Sequence, residues 1–146
     1  MRRIICLTLV ILSIISCLAA CDIANNMMDD MEKNAESTPK IQEMMSLLTE
    51  NRLSEAKKLL HPNANENADD VLEQIATYIN GRNAISMELT NIKTSSSTGT
   101  SGKARQEQIT YRVTLTDGEI VSLNAVYLSN NEGTGFTFIQ LSLGTV

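Results

Sequence analysis

The chain has few of the residue types on which catalysis, metal binding and base recognition most often depend. It contains no tryptophan, two phenylalanines, three tyrosines and one histidine among 146 residues. So few aromatic side chains argue against stacking platforms for sugars or nucleic-acid bases. One histidine excludes a His-x-x-x-His metal site, and the sequence has neither a cysteine beyond Cys21 nor an acidic loop with calcium-site spacing. We therefore expect no metal and no cofactor.

Basic residues are also in the minority. Lysine and arginine together number 12, against 17 aspartates and glutamates, and the formal net charge is −5. Nucleic acids require clustered basic side chains to neutralise their phosphates, so this balance argues against a nucleic-acid partner, and we expect none. It also argues against attachment to anionic lipid through a basic patch.

Cysteine is confined to the start of the chain. Cys6, Cys17 and Cys21 all lie within the first 21 residues. The rest of the sequence cannot form an internal disulfide, so a folded domain there must depend on its hydrophobic core for stability.

The N-terminal segment has the layout of an export signal. Arg2 and Arg3 precede a mostly apolar run over residues 4–15, small residues follow, and a cysteine ends the segment. Leu18-Ala19-Ala20-Cys21 resembles the lipobox of bacterial lipoproteins, which has an aliphatic residue, two small residues and a cysteine. The resemblance implies that cleavage falls between Ala20 and Cys21 and that the Cys21 thiol carries a diacylglyceryl group. It further implies a lipid-anchored protein on the extracytoplasmic face of a cell membrane, with membrane lipid as its partner.

Three other interpretations of this segment stay open. Residues 4–20 are just long enough to cross a bilayer, which takes about 17–25 residues; the segment also fits an ordinary secretion signal, and Ile14-Ile15-Ser16-Cys17 loosely fits a lipobox. We favour Cys21, because alanine at both inner positions suits a peptidase cleft for short side chains. Removing residues 1–20 takes Arg2 and Arg3 from the 12 basic residues and none of the 17 acidic ones, so the remaining 126 residues carry a net charge of −7.

The remainder is predicted to consist of a tether and one domain. Residues 21–38 are rich in Asn, Asp, Glu, Lys, Ser and Thr, which predicts a flexible tether. Residues 39–146 are predicted to fold as one domain.

Three helices are predicted at the start of this domain. The first begins at Thr38-Pro39, with the threonine as N-cap, and ends at Asn51 in a left-handed turn. The second ends at His61-Pro62, and the third runs from Asp69 to Asn80-Gly81. The predicted buried stripes are Ile41, Met44, Met45 and Leu48 in the first helix, Ala56, Leu59 and Leu60 in the second, and Val71, Leu72, Ile75, Tyr78 and Ile79 in the third.

After residue 81 the apolar period changes to two, which predicts four strands. The first covers about residues 84–93, and the Ser-, Thr- and Gly-rich residues 94–102 are predicted to be a mobile loop without the Gly-Lys-Ser/Thr ending of a phosphate-binding loop. Asp117-Gly118 and Asn130-Asn131-Glu132-Gly133 predict the later turns. The phase breaks in the last strand, where Phe136 and Phe138 alternate one way and Ile139, Leu141 and Leu143 the other, which predicts a bulge or a strand covered on both faces. The predicted inner faces of the first three strands are Ile85, Met87 and Leu89; Ile109, Tyr111, Val113 and Leu115; and Val121, Leu123, Ala125 and Tyr127.

This order predicts an α+β fold, with N-terminal helices packed on a curved four-stranded antiparallel sheet. Over about residues 38–144 it is similar to the nuclear-transport-factor-like (cystatin-like) superfamily. The similar motifs are Leu59-Leu60-His61-Pro62, Ile79-Asn80-Gly81 and the closing strand over residues 135–139. The resemblance implies a cone-like domain with a pocket at its open end. Catalytic members hold an Asp/His pair there, and we find no such pair to carry over.

The predicted pocket residues are Tyr78, Tyr111, Tyr127 and His61. Each tyrosine is an amphipathic side chain that suits either a pocket or the core. His61 lacks a local carboxylate to orient it as a general base, and a histidine at a helix C-terminus is also stabilised by the helix dipole. We therefore predict no catalytic residue and a non-catalytic domain that binds a small ligand, a peptide or an envelope protein. The alternatives are a structural or assembly subunit of an envelope complex that works through its exposed sheet face, and a small enzyme that uses His61.

Overall fold

The computed structural model describes residues 35–99 and 102–143, where three α-helices precede four β-strands. The helices are α1 (Ser37–Thr49), α2 (Leu53–Ala56) and α3 (Ala68–Ile79), and a 3-10 turn, Lys57–Leu59, follows α2. The strands are β1 (Ala84–Gly99), β2 (Gly102–Leu115), β3 (Ile120–Asn130) and β4 (Gly133–Leu143). The helices pack against an open antiparallel sheet, so the predicted α+β class is confirmed. The predicted signal peptide, Cys21 and residues 21–34 of the predicted tether lie outside the described residues.

Helix α1 buries the predicted apolar stripe. Its buried residues include Ile41, Met44, Met45 and Leu48. The left-handed turn at Asn51, with φ 57°, is also confirmed. There the N–H of Arg52 donates to the Leu47 carbonyl and that of Asn51 to the Leu48 carbonyl, which is the paired closure of a Schellman motif.

The start of α1 differs from the prediction. The helix begins at Ser37 and its N-cap is Glu36, which makes no side-chain capping bond. Thr38 therefore lies inside the helix, and Ala35 and Ser37 are buried although residues 21–38 were predicted to be tether. A buried carboxylate from β2, described below, holds this helix end in place of a local cap.

Helix α3 faces the core with Leu72, Ile75 and Ile79. It ends at Asn80, as predicted, and Asn80 has the left-handed conformation. Tyr78 is 37% exposed, so its predicted place in the buried stripe was wrong. It lies at the border of the apolar stripe, where the phenol ring can pack while its hydroxyl reaches a polar partner.

The sheet has the strand order β1-β2-β3-β4, so β1 and β4 are its edges. The predicted inner faces of β2 and β3 are buried, which confirms their two-residue period. In β4 the register shifts opposite Val126 and Tyr127, which confirms the predicted bulge. Phe136 is consequently fully buried while Phe138 is 37% exposed.

Strand β1 is longer than predicted. Thr94–Gly99, predicted to be a mobile loop, pairs in register with residues 102–107 of β2. Backbone pairing along the hairpin overrides the low strand propensity of serine and glycine. Ile85 lies at a register shift and is 64% exposed, so its predicted place on the inner face was wrong.

Candidate functional site

A groove of about 460 Å³ runs between α3 and the edge strand β4. Its walls are mostly apolar, and three neutral polar side chains interrupt them. The lining residues are Val71, Gln74, Ile75 and Tyr78 from α3, and Phe138, Ile139, Gln140, Leu141, Ser142 and Leu143 from β4. A second concavity continues from it past Val71, Phe138 and Ile139 to the loop over residues 65–67. Together they form one channel beside β4, which we call the α3–β4 groove.

The local sequence explains why this groove is apolar and accessible. Helix α3 directs Leu72, Ile75 and Ile79 into the core, so Val71 and Gln74 lie beside that stripe and face the edge of the sheet. The bulge in β4 moves Phe138 away from the core that holds Phe136.

The first half of the outer edge of β4 is covered by the chain itself. Leu60 makes an isolated parallel bridge to Phe136, whose carbonyl accepts the N–H of His61 at 3.0 Å. The carbonyl of Thr137 accepts the N–H of Asn65 at 3.3 Å. A glycine at position 135 permits this approach, since a Cβ there would lie 2.6 Å from the His61 nitrogen.

An ion-paired cluster closes one end of the groove. The Tyr78 hydroxyl donates to Glu119 at 2.7 Å, and Arg82 pairs with Glu119 and Asp117 at 2.6 Å each. Arg82 also donates to the carbonyls of Tyr78 and Ile79, which caps the C-terminus of α3. The hydrogen bond to Glu119 raises the pKa of Tyr78, and bonds from Tyr78 and Arg82 lower the pKa of Glu119.

The structure does not bring the four predicted pocket residues together. Tyr78 lines the groove. Tyr111 is fully buried under α1, with its hydroxyl 3.3 Å from Thr38 Oγ1. Tyr127 is 6% exposed and packs edge to face on Phe136, with ring centroids 5.1 Å apart. Both lie in the hydrophobic core.

His61 is 2% exposed, and both ring nitrogens have hydrogen-bond partners. The N–H of Asn63 donates to Nδ1 at 3.0 Å, and Nε2 lies 3.1 Å from Asn130 Oδ1. That oxygen also accepts the N–H groups of Glu132 and Gly133. Nδ1 is therefore the acceptor and Nε2 the donor, and the ring ties the β3–β4 turn to the end of the 3-10 turn. This arrangement leaves no ring nitrogen available to a substrate.

Glu107 is the buried polar residue that sequence reasoning missed. It is fully buried, and its carboxylate accepts the Ser37 N–H at 3.0 Å, the Ser37 hydroxyl at 2.5 Å and the Glu36 N–H at 3.3 Å. Arg105 pairs with it at 2.6 Å. Burial alone would raise the pKa of Glu107, but these hydrogen bonds and the guanidinium hold the pKa below its usual value. Its two-residue phase with Ile109 and Tyr111 was the available signal.

Metal binding has no support in residues 35–99 and 102–143, where no three histidine, cysteine or acidic side chains are placed to share an ion. Within the same ranges, no helix combines the length and apolar character needed to cross a membrane. No family model matches this chain, and no curated protein or solved structure is significantly similar to it.

Proposed function

We propose that this protein is a lipid-anchored, extracytoplasmic lipoprotein whose folded part is a non-catalytic binding domain, and that the α3–β4 groove is its binding site. The anchoring half of the proposal rests on the Leu18-Ala19-Ala20-Cys21 motif. The binding half rests on one observation, the largely apolar groove beside an uncovered stretch of edge strand.

The composition of the groove favours binding over chemistry. Its volume of about 460 Å³ falls within the range of about 300–1,000 Å³ that is typical of ligand sites, and its apolar walls with a few polar groups are typical of them too. The described lining residues with titratable side chains are Tyr78, whose hydroxyl already donates to Glu119, and Glu66 in the second concavity. The groove thus offers apolar surface and neutral hydrogen-bonding groups to a ligand, and no acid–base pair.

Binding is tested with the neutral apolar dye Nile red and the purified full-length chain in detergent-free nanodiscs. Nile red also dissolves in the nanodisc lipid, so the signal of protein-free nanodiscs is subtracted, and we expect a saturable enhancement in the remainder. Gln74→Arg places a charged side chain over the groove and lowers the affinity at least about tenfold. Thr77→Arg is the matched control, because Thr77 is exposed on the same helix but lines a different surface concavity; this variant keeps wild-type affinity. Equal binding by both variants, or none by the wild type, contradicts the groove as the site.

Anchoring is tested at Cys21. One acyl chain binds a membrane only marginally, whereas two or more hold a protein there stably. Cys21→Ala is expected to abolish lipid attachment and to leave the unprocessed precursor, as measured by mass spectrometry of the N-terminus. A wild-type chain that still begins at Met1 with an unmodified Cys21 thiol contradicts the anchor and leaves the groove test unaffected.

A further inference from the structure

The two edges of the sheet differ in how they are protected against pairing with another strand. Exposed edges are usually blunted by bulges, charges or a covering segment. Edge strand β1 has two register shifts and an exposed polar surface that includes Glu88 and Lys93. Edge strand β4 has one shift, and past it Phe138 is exposed on one face of the strand and Leu143 on the other. The second half of β4 is the unprotected edge.

One isolated bridge from the chain itself already covers the start of this edge. The Leu60–Phe136 bridge and the hydrogen bonds from His61 and Asn65 cover β4 only as far as Thr137. Beyond Thr137, no described segment of the chain hydrogen-bonds to the outer edge over residues 138–143. Alternate residues of this stretch direct backbone N–H and C=O groups away from β3, as in any antiparallel ladder.

The groove has the dimensions of one short strand. The six residues 138–143 span about 20 Å at roughly 3.4 Å per residue. Helix α3, with 12 residues, runs beside them for about 18 Å at 1.5 Å per residue. The open stretch of β4 is therefore as long as a six-residue extended peptide, and α3 has about the same length. Its alternate side chains would enter the apolar channel against Val71 and Ile75.

The acidic side chains around the groove favour a ligand with positive charge. Glu66 lies at one end, and Asp117 and Glu119 share one arginine at the other. Asp70 is exposed one helical turn before Gln74, on the same stripe of α3. No lysine or arginine is among the described residues that line either part of the groove. A second copy of this acidic chain would bring the same carboxylates against them, which disfavours self-pairing.

We infer that the occupant is an extended segment of another protein that pairs with Phe138–Leu143 as a fifth strand, with apolar residues at alternate positions and lysine or arginine at its ends. This inference rests on the proposed binding function and names the ligand class. Main-chain hydrogen bonds to an open edge supply affinity in this mode, and side-chain pockets supply specificity.

The test selects peptides from a phage library of random linear octapeptides on the purified full-length chain. We expect selected sequences with apolar residues two apart, at least one terminal lysine or arginine, and no central proline. A selected peptide made with glutamate in place of its basic residues should bind at least about tenfold more weakly. Gln74→Arg should weaken binding of the selected peptide by a similar factor. Thr77→Arg should leave the affinity for this peptide within about twofold of wild type.

The binding mode is measured by amide hydrogen exchange. Pairing slows exchange of the outward-facing amides within residues 138–143, and proline at the centre of the peptide abolishes this protection. Selected peptides that bind without protecting β4, or that lack alternation, overturn the inference. So does sedimentation showing a dimer whose β4 amides are already protected. A third outcome is that no peptide is selected, while Nile red binds the wild type and Gln74→Arg lowers its affinity. The ligand is then a small apolar molecule. This result contradicts the strand inference and leaves the groove as the binding site.

Discussion

Two helices meet the sheet in opposite ways. At the α1–β2 contact, the start of the helix is held by side chains of β2. The buried Glu107 carboxylate accepts hydrogen bonds from Ser37 and Glu36, and the Tyr111 hydroxyl lies beside Thr38 Oγ1. At the α3–β4 groove, the helix core stripe packs inward, but the space between helix and edge strand stays unfilled and apolar. One contact is made through a buried charge, and the other is mainly apolar and leaves an open space beside it.

This difference suggests that the α1–β2 contact stabilises the fold and that the α3–β4 groove serves binding. A buried carboxylate with complete partners contributes to the fold and presents nothing to a ligand, since removing any partner leaves a charge or donor unpaired. An open groove contributes little to the fold, because its lining side chains remain partly in water. We therefore expect substitutions at the α1–β2 contact to change the free energy of unfolding, and substitutions in the groove to change affinity.

The largest expected effect is that of Glu107→Ala. It leaves the Ser37 hydroxyl, two backbone N–H groups and Arg105 without their common partner, at a cost of about 3–5 kcal/mol in the free energy of unfolding. Urea denaturation measures it. Glu88→Ala is the matched control, because Glu88 on the neighbouring strand pairs with Arg112 in an exposed position and should cost less than about 0.5 kcal/mol. Equal costs would contradict the comparison.

His61→Ala is expected to cost about 2–3 kcal/mol, because it removes two hydrogen bonds and leaves a cavity under the covered half of β4. Thermal and urea unfolding measure the loss. Asn63→Ala keeps the backbone N–H that His61 accepts and loses only a surface side-chain bond to Glu132. It should therefore stay within about 0.5 kcal/mol of wild type. A stable His61→Ala variant would show that the imidazole does not hold the turn.

The pH dependence of stability should report on Glu107. Because the native pKa of this carboxyl lies below its ordinary 4.5, its contribution is complete above pH 4.5 and is lost as the pH falls through the native pKa. Glutamine does not ionise, so the Glu107→Gln variant lacks this contribution at every pH. The difference in unfolding free energy between wild type and Glu107→Gln should thus be largest near neutral pH and narrow below pH 4.5. A difference that stays constant from pH 7 to pH 3 would contradict the charged state assigned to Glu107.

The smallest effect is expected from Leu143→Ser in the groove. Leu143 is 68% exposed, so this change should alter the free energy of unfolding by less than about 0.5 kcal/mol. It should still reduce Nile red binding, because it removes apolar surface from the groove. A loss of stability above 1 kcal/mol, measured by urea denaturation, would mean that Leu143 packs in the fold.

The sequence was most informative where one face of an element is buried. The alternation of Ile109, Tyr111 and Val113 identified an inner face, because a strand has a period of two and a one-residue slip would expose it. The broken phase around Phe136 and Phe138 identified the bulge for the same reason. Helix ends at Asn51 and Asn80 were predictable because few residues other than glycine and asparagine adopt the left-handed conformation.

The sequence was least informative where a distant partner decides the outcome. Ser37 looked like part of a tether because its partner, Glu107, lies 70 residues later. Thr94–Gly99 looked like a loop because its composition is polar, whereas pairing with the following strand sets its structure. The groove was not predicted as a site, since Gln74 and Gln140 have no motif and become neighbours only when α3 lies beside β4. Tyr78 was placed in the correct region but assigned to the wrong environment.

The hydrogen bonds between Ser37 and Glu107 also have a consequence for how the domain resists a pulling force. Glu107 accepts hydrogen bonds from the backbone N–H groups of Glu36 and Ser37, so these bonds bear load when the start of α1 is pulled away from β2. Those bonds would have to rupture before α1 could peel away. A carboxylate on the second strand therefore resists separation of α1 from the sheet at the amino-terminal end of the helix.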